Sequence, residues 1–248
     1  MKIYKDQLKT INPSYSIWFS DQIEPMIDFP TTWSQEGHPD CKTTYSLNSH
    51  GLRCDEFNEI DKTDKHVVFS GCEMTIPMDI DLVNGWSYRI YNDFFKNKNG
   101  FRSLSYPGAN QNKIIVNLIK YIYKYGKPDN IIILMPEIIR SYGFWNEGGA
   151  FKPKMYRQFK SDDGIEHNSM ALPNDVPLEL LALNYIQSMR VLESICKMSE
   201  IDLVWSTWDK ETSDIIDSQG FSNFIPISKS LYSQDEIYSL FKNNIGGN

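Results

Sequence analysis

A chain of 248 residues, 41% hydrophobic and 23% charged, has enough apolar material for a real core and reads as one large domain or a domain with substantial insertions. Lys and Arg number 25 against 32 Asp and Glu, a net charge of −7 with no long basic run, which argues against nucleic acid as a partner. The opening Met1-Lys2-Ile3-Tyr4-Lys5-Asp6 lacks the apolar core of a signal peptide, and no apolar run approaches the ~18 residues of a membrane helix, so a cytoplasm-made protein with no membrane partner is expected.

Residues 1–47 show no sustained period. Tyr15, Trp18, Phe19, Phe29 and Trp33 are interleaved with Pro13, Pro25, Pro30 and Pro39, which predicts a loop-rich arm whose aromatics pack on the domain body or a neighbouring chain. Trp18 and Trp33 are expected to be at least partly buried, and oligomer formation through this arm is one expectation. Asn48 to Arg53 reads as a turn feeding an extended segment, with Arg53 in a surface ion pair to Asp55, Glu56 or Glu59.

Val67 to Ser70 is a short apolar strand running into a tight turn at Gly71, followed by Cys72, Glu73 and Thr75. Asn84 to Asn97 carries Trp86, Ile90 and Phe94 at i, i+4 and i+8, an amphipathic helix closed by Gly100. Phe101 to Leu104 is a second short strand, and Ile114, Ile115, Leu118, Ile119 and Ile122 mark a second helix stopped by Gly126 and Pro128. Asn130 to Met135 is a near-continuous apolar run, as in a strand buried on both faces. From Ser141 to Asp175 the period disappears, which predicts an insertion or lid. Pro177 opens a helix with a broad apolar face from Leu180 to Cys196. Ile201 to Thr207 is the next strand, a short strand is expected near Phe224 to Ile227, and Ser233 caps a last helix.

Strand, helix, strand, helix, strand, insertion, helix, strand is the order of an α/β protein, a three-layer α/β/α sandwich with a mainly parallel central sheet. The domain proper is expected over 48–248. In such a sheet ligands bind at the carboxyl ends of the strands, so a strand delivering a thiol and a carboxylate there builds a pocket wall. The four cysteines, Cys41, Cys54, Cys72 and Cys196, contain no Cys-x-x-Cys pair and, with four histidines, match no zinc pattern. No metal and no cofactor are expected.

In its order of motifs the chain resembles the SGNH (GDSL-like) hydrolase family, in the forms met in bacteriophage and marine viral genomes, over roughly Asn48 to Asp209. Asn48-x-x-Gly51-x-Arg53-x-x-Glu56 looks like their lead-in, and Val67 to Thr75 like their first strand and G-[DC]-S-x-T block. Gly85-Trp86 looks like the start of their first helix. Ser105-Tyr106-Pro107-Gly108-Ala109-Asn110 resembles the block whose glycine amide helps form an oxyanion hole. Asn130 to Arg140 and Trp205 to Trp208 resemble the third and fourth strands. The resemblance implies pocket positions at Gly71, Thr75, Gly108, Asn110, Glu137 and Arg140.

The departures change the chemistry. The family's nucleophilic Ser position is Glu73 here, its Asp position is Cys72, and no His follows His167 to serve as the general base. The G-x-N-D block is not recognisable, and Met135-Pro136-Glu137-Ile138 stands near its place. Ser attack needs a hydroxyl and an adjacent base, and both are missing by residue type.

Other chemistries stay open. Cys72 is a nucleophile if a His (His50 or His167) favours its thiolate, and an inert buried thiol otherwise. Glu73 and Glu137 form a carboxylate pair of the glycosidase kind, or Glu73 binds turn amides or Arg140, the reading preferred here. A metal on Glu73, Asp79 and Asp81 competes with solvated loop aspartates. The expectation is a catalytically degenerate protein, a viral (phage) structural, surface or glycan-binding component found in the virion, with other virion proteins or a surface glycan as partners. The alternative is an active hydrolase, an esterase, deacetylase or glycosidase, acting on a carbohydrate with Cys72 and Glu73 in place of the usual Ser.

Overall fold

The computed structural model describes residues 46–57, 65–76, 80–96, 100–106, 108–147, 150–156 and 177–245, with two short strands, β1 (Thr32–Ser34) and β2 (Lys42–Thr44). In chain order these are followed by β3 (Val67–Gly71), α1 (Trp86–Ile90), β4 (Arg102–Ser103), α2 (Gln111–Tyr125), β5 (Asn130–Met135), β6 (Ser141–Glu147) and β7 (Ala150–Tyr156). The helix α3 (Leu178–Met198), strand β8 (Asp202–Thr207) and helices α4 (Lys210–Asp217) and α5 (Gln234–Ile245) complete the described elements.

The central sheet has four parallel strands in the order β4-β3-β5-β8. The apolar runs that carry no alternation, Val67–Gly71 and Asn130–Met135, are its two inner strands, where both faces are covered. Their register runs from Val67 opposite Asn130 to Gly71 opposite Leu134. The chain leaves β3 on one side for β4 and returns on the other for β5. The point of reversal lies outside the carboxyl ends of β3 and β5, where open α/β sheets bind ligands.

Successive side chains of a strand point to opposite faces, so His66 and Phe69 look in opposite directions. His66 packs its ring near Tyr121 of α2, and α2 packs against α3. Phe69 meets Trp86 of α1 edge-on at 6.0 Å, and Trp86 stacks on Phe241 of α5 at 4.7 Å. Helices thus cover both faces, and the α/β class with a mainly parallel central sheet follows. Each wall is apolar: Leu118, Tyr121, Tyr185, Met189 and Leu192 on one side, Trp86, Ile90, Ile237 and Phe241 on the other, all buried.

Several element boundaries differ from expectation. The segment expected as one helix from Asn84 to Asn97 is broken into a 3-10 turn (Leu82–Asn84), α1 and a π turn (Tyr91–Phe95). The strand expected over Phe101–Leu104 shrinks to Arg102–Ser103, and Phe224–Ile227 supplies only a single bridge, Phe224 to Trp205. Helix α4 lies where the sequence pattern predicts no helix. Asp209 begins it, accepting at Oδ2 from the Thr212 amide at 2.8 Å. Inside the stretch expected to be an aperiodic insertion, β6 and β7 pair antiparallel from Ser141–Tyr156 to Glu147–Ala150. Arg53, expected in a surface ion pair, is buried and donates from Nη1 to the Ile80 carbonyl at 3.0 Å. The arm places β1 antiparallel to β2, while the burial of Trp18 and Trp33 lies outside the described residues. No helix among the described residues is long and apolar enough to cross a membrane.

Candidate functional site

Glu73 follows β3 by two residues, and Pro136 to Arg140 follow β5, so both segments reach the point where the sheet order reverses. The chain must turn sharply at Gly71. A Cβ there would lie 2.6 Å from the Leu134 carbonyl oxygen and 2.1 Å from Thr75 Oγ1, closer than any side chain tolerates. The turn that follows is closed by the Thr75 and Ile76 amides donating to the Cys72 carbonyl at 3.0 and 3.3 Å. It is clamped from the helix side as well. Trp86 Nε1 and Gln234 Nε2 donate to the Met74 carbonyl at 3.0 and 3.2 Å, and Ser87 Oγ donates to Thr75 O at 3.3 Å. The Glu73 backbone is therefore fixed by α1 and α5.

The loop after β5 is held equally firmly. Tyr185 OH on α3 donates to the Pro136 carbonyl at 3.1 Å, and Thr212 Oγ1 on α4 accepts from the Ile138 amide at 3.0 Å. The Arg140 amide donates to the Glu137 carbonyl at 3.0 Å, which turns the chain back on itself.

Arg140 joins the two segments. Its Nη1 and Nη2 donate to the two oxygens of Glu73, each at 2.7 Å, a bidentate fork. Its Nε and Nη2 donate to Glu137 Oε1 at 3.2 and 3.1 Å. The Gly108 amide, at the start of the run leading into α2, donates to Glu73 Oε2 at 2.9 Å. Side-chain exposure is 1% for Arg140, 5% for Glu137 and 31% for Glu73, so one carboxylate faces water and the other does not.

The electrostatics follow from this arrangement. Burial alone would raise the Glu73 carboxyl, but the Arg140 fork and the Gly108 amide outweigh it and hold the group below the usual carboxylate range. Burial opposes the charge of Arg140 too, and the Glu73 and Glu137 carboxylates reverse that and keep it firmly protonated. Cys72 is the contrary case. It is fully buried, and desolvation reinforced by the Glu73 charge pushes its thiol up to about 12. A thiol in that state is neither nucleophile nor metal ligand at neutral pH.

Of the residues singled out from the sequence, Glu73, Gly108, Glu137 and Arg140 form one contact network, and Gly71 and Thr75 shape the turn beside it. Asn110 is fully buried and caps α2, its Oδ1 accepting from the Lys113 amide at 3.0 Å. His50 is not at the site. It bonds Tyr125 OH at 2.8 Å, at the far end of a 15-residue helix, about 22 Å along the axis from the residues that begin it. His66 precedes β3 and so sits at the amino edge of the sheet. Asp79 and His167 lie outside the described residues, and Asp81 is exposed beside the 3-10 turn. Among the described residues there is no group of three His, Cys, Asp or Glu that could hold a metal ion. Sequence reasoning missed the two supports of the loop after β5, Tyr185 and Thr212. Tyr185 carries no local signal, whereas Thr212 sits three residues after the Asp209 cap, a spacing that a search for helix starts would have found.

No family model matches the chain, and no curated protein matches it. Among the solved structures similar to it are two from Bacteroides species. One is described as a "putative acylhydrolase" from Bacteroides fragilis NCTC 9343, at 14% identity and a TM-score of 0.42, covering 77% of this chain and 92% of that one. The other is a GDSL-like lipase from Bacteroides thetaiotaomicron VPI-5482, at 12% identity and a TM-score of 0.41, covering 76% of this chain and 91% of that one. At such identities a likeness concerns the path of the backbone and not the chemistry of a site.

Proposed function

We propose that the chain is a GDSL-like α/β scaffold in which the nucleophile position has become a structural ion-pair network, and that it serves as a viral (phage) structural, surface or glycan-binding component without ester-hydrolase activity. The observation that carries the silent-site part is the Glu73 carboxylate bound by Arg140 and the Gly108 amide. That amide is the one the family resemblance assigns to an oxyanion hole, and here it already holds a negative charge. An oxyanion developing ~4 Å from that charge would meet a repulsion of about 4 kcal/mol at an effective dielectric near 20. This opposes the stabilisation that such a hole exists to give. Neither described histidine reaches the site to accept a proton near neutral pH. The viral assignment rests on the resemblance over roughly Asn48 to Asp209, with the aromatic-rich stretches 1–47 and 141–175 as material for contacts, and other virion proteins or a surface glycan are the partners it implies.

The test is turnover of short-chain acyl esters and labelling by serine-directed phosphonate probes with purified protein. Neither is expected. Ester turnover that disappears in Glu73→Ala or Cys72→Ala would overturn the reading.

One observation favours a second reading, a glycosidase. Glu73 and Glu137 accept from the same Nη2, so their oxygens lie within about 6 Å, near the ~5–5.5 Å spacing of a retaining pair. The proton inventory opposes it. The general acid of such a pair needs a raised pKa, and Arg140 lowers that of Glu73. Release of nitrophenol from aryl glycosides by the wild type, lost in Glu137→Gln, would favour this second reading.

A further inference from the structure

The Arg140 fork has two unequal halves. The Glu137 side is sealed, with 5% side-chain exposure, and binds through one oxygen at 3.1–3.2 Å. The Glu73 side is 31% exposed and binds through both oxygens at 2.7 Å, with the Gly108 amide as a third donor at 2.9 Å. Donor geometry of this kind, a guanidinium fork and one backbone amide, fits a planar two-oxygen anion. The loop that leads to Arg140 is clamped by α3 and α4 through Pro136 and Ile138, and Gly108 stands in a turn closed by the Ala109 amide donating to the Tyr106 carbonyl at 3.0 Å, so neither donor segment is held by Glu73 alone. The Glu73 side chain alone can swing into water by rotation about its own bonds. Arg140 would stay anchored through Nε and Nη2 to Glu137. Two residues on from Gly108, Asn110 Nδ2 is buried and without a hydrogen-bond partner among the described residues.

We propose that the outer half of the Arg140 fork, with the Gly108 amide, is a carboxylate-binding slot in which Glu73 is a resident and exchangeable occupant, and that its external ligand is a molecule bearing a planar carboxylate, such as an acidic sugar. This rests on the reading that the position is non-catalytic, and it supplies that reading with a ligand class. The slot selects a carboxylate over a tetrahedral dianion because Glu137 lies across the same guanidinium, and added charge there is repelled.

The experiment is thermal unfolding of the wild type, Glu73→Ala and Glu73→Gln in acetate and in glucuronate, against chloride, sulfate and glucose at matched ionic strength. Glu73→Ala is expected to melt well below the wild type in chloride, and acetate or glucuronate at about ten times its Kd should raise its melting temperature by about 3–5 °C. Chloride, sulfate and glucose should not. The wild type should shift far less, since a tethered carboxylate competes at a local concentration in the millimolar range or above. Glu73→Gln, which keeps the side chain's shape, should respond as Glu73→Ala does. If Glu73→Ala folds only in acetate, that recovery is the same result. Adding Arg140→Lys should abolish the response. No carboxylate-specific shift in either variant, an equal shift in the wild type, or an equal shift in sulfate would each overturn the slot. Ester turnover by the wild type would refute the non-catalytic reading, and carboxylate binding by the variants would survive that result.

Discussion

Arg140 carries a charge where water scarcely reaches it, and five donors need acceptors there. Glu73 and Glu137 supply three oxygens to its three nitrogens, which makes a buried charge tolerable. Breaking one member of such a network leaves the others charged and unpaired. Arg140→Met should therefore cost about 3–5 kcal/mol, read as a lower denaturant midpoint with an unchanged slope. A loss below about 1 kcal/mol would mean that the fork is loose in solution and behaves as a surface pair. Cys72 differs in kind. With a thiol near 12 and no exposure, it should resist alkylation by iodoacetamide in the native protein at pH 8 and react only after unfolding. Rapid native labelling of Cys72 would reopen the nucleophile reading.

At the scale of elements, the structure joins chain segments far apart in sequence. Trp86 on α1 stacks on Phe241 on α5 with the rings 13° from parallel, and Gln234 of α5 accepts from the Trp86 amide at 2.9 Å. Phe241→Ala should cost about 3–5 kcal/mol. It should also release the turn carrying Glu73, read as a red-shifted tryptophan emission and, under the slot proposal, a stronger response to acetate. Helix α5 starts with a capping box. The Glu236 amide donates to Ser233 Oγ, and the Ser233 amide donates to Glu236 Oε2, both at 3.2 Å. That start was legible from Ser233, Asp235 and Glu236, as β3, β5 and β8 were from their apolar runs. What escaped is equally physical. Helix α4 is eight residues with a largely polar sequence, Lys210 to Asp217, so its buried Ile216 stands almost alone in the periodicity. The π turn after α1 breaks a pattern that Trp86, Ile90 and Phe94 present as continuous, and Phe94 ends up exposed. Strand β4 owes its place to pairing with β3 and not to its own Arg102–Ser103.

Across the whole molecule, topology gathered the site and sequence spacing could only nominate its members. Glu73 and Arg140 stand 67 positions apart, and nothing local says that they touch. Their meeting follows from β3 and β5 being adjacent parallel strands, which delivers both following loops to one edge. The same topology sends His50 to the opposite end and separates the two groups in their effect on pH dependence. Burial and the nearby Lys124 lower the His50 pKa, with Glu56 opposing, so the folded state favours its neutral form. Stability from that group is fully present above its unfolded value of ~6.5 and is lost as pH falls through the lower folded value. Glu73 is likewise depressed when folded, so its contribution is present above the unfolded carboxylate value of ~4.3 and is lost as pH falls further, through its folded value. Stability should therefore fall on the acid side in two stages belonging to opposite ends of the sheet. In urea titrations between pH 8 and pH 3, His50→Gln should flatten only the upper stage and Glu73→Gln only the lower. A Glu73→Gln curve parallel to the wild type below pH 4 would show that the Arg140 fork does not hold Glu73 ionised, and the structural account of the site would fall with it.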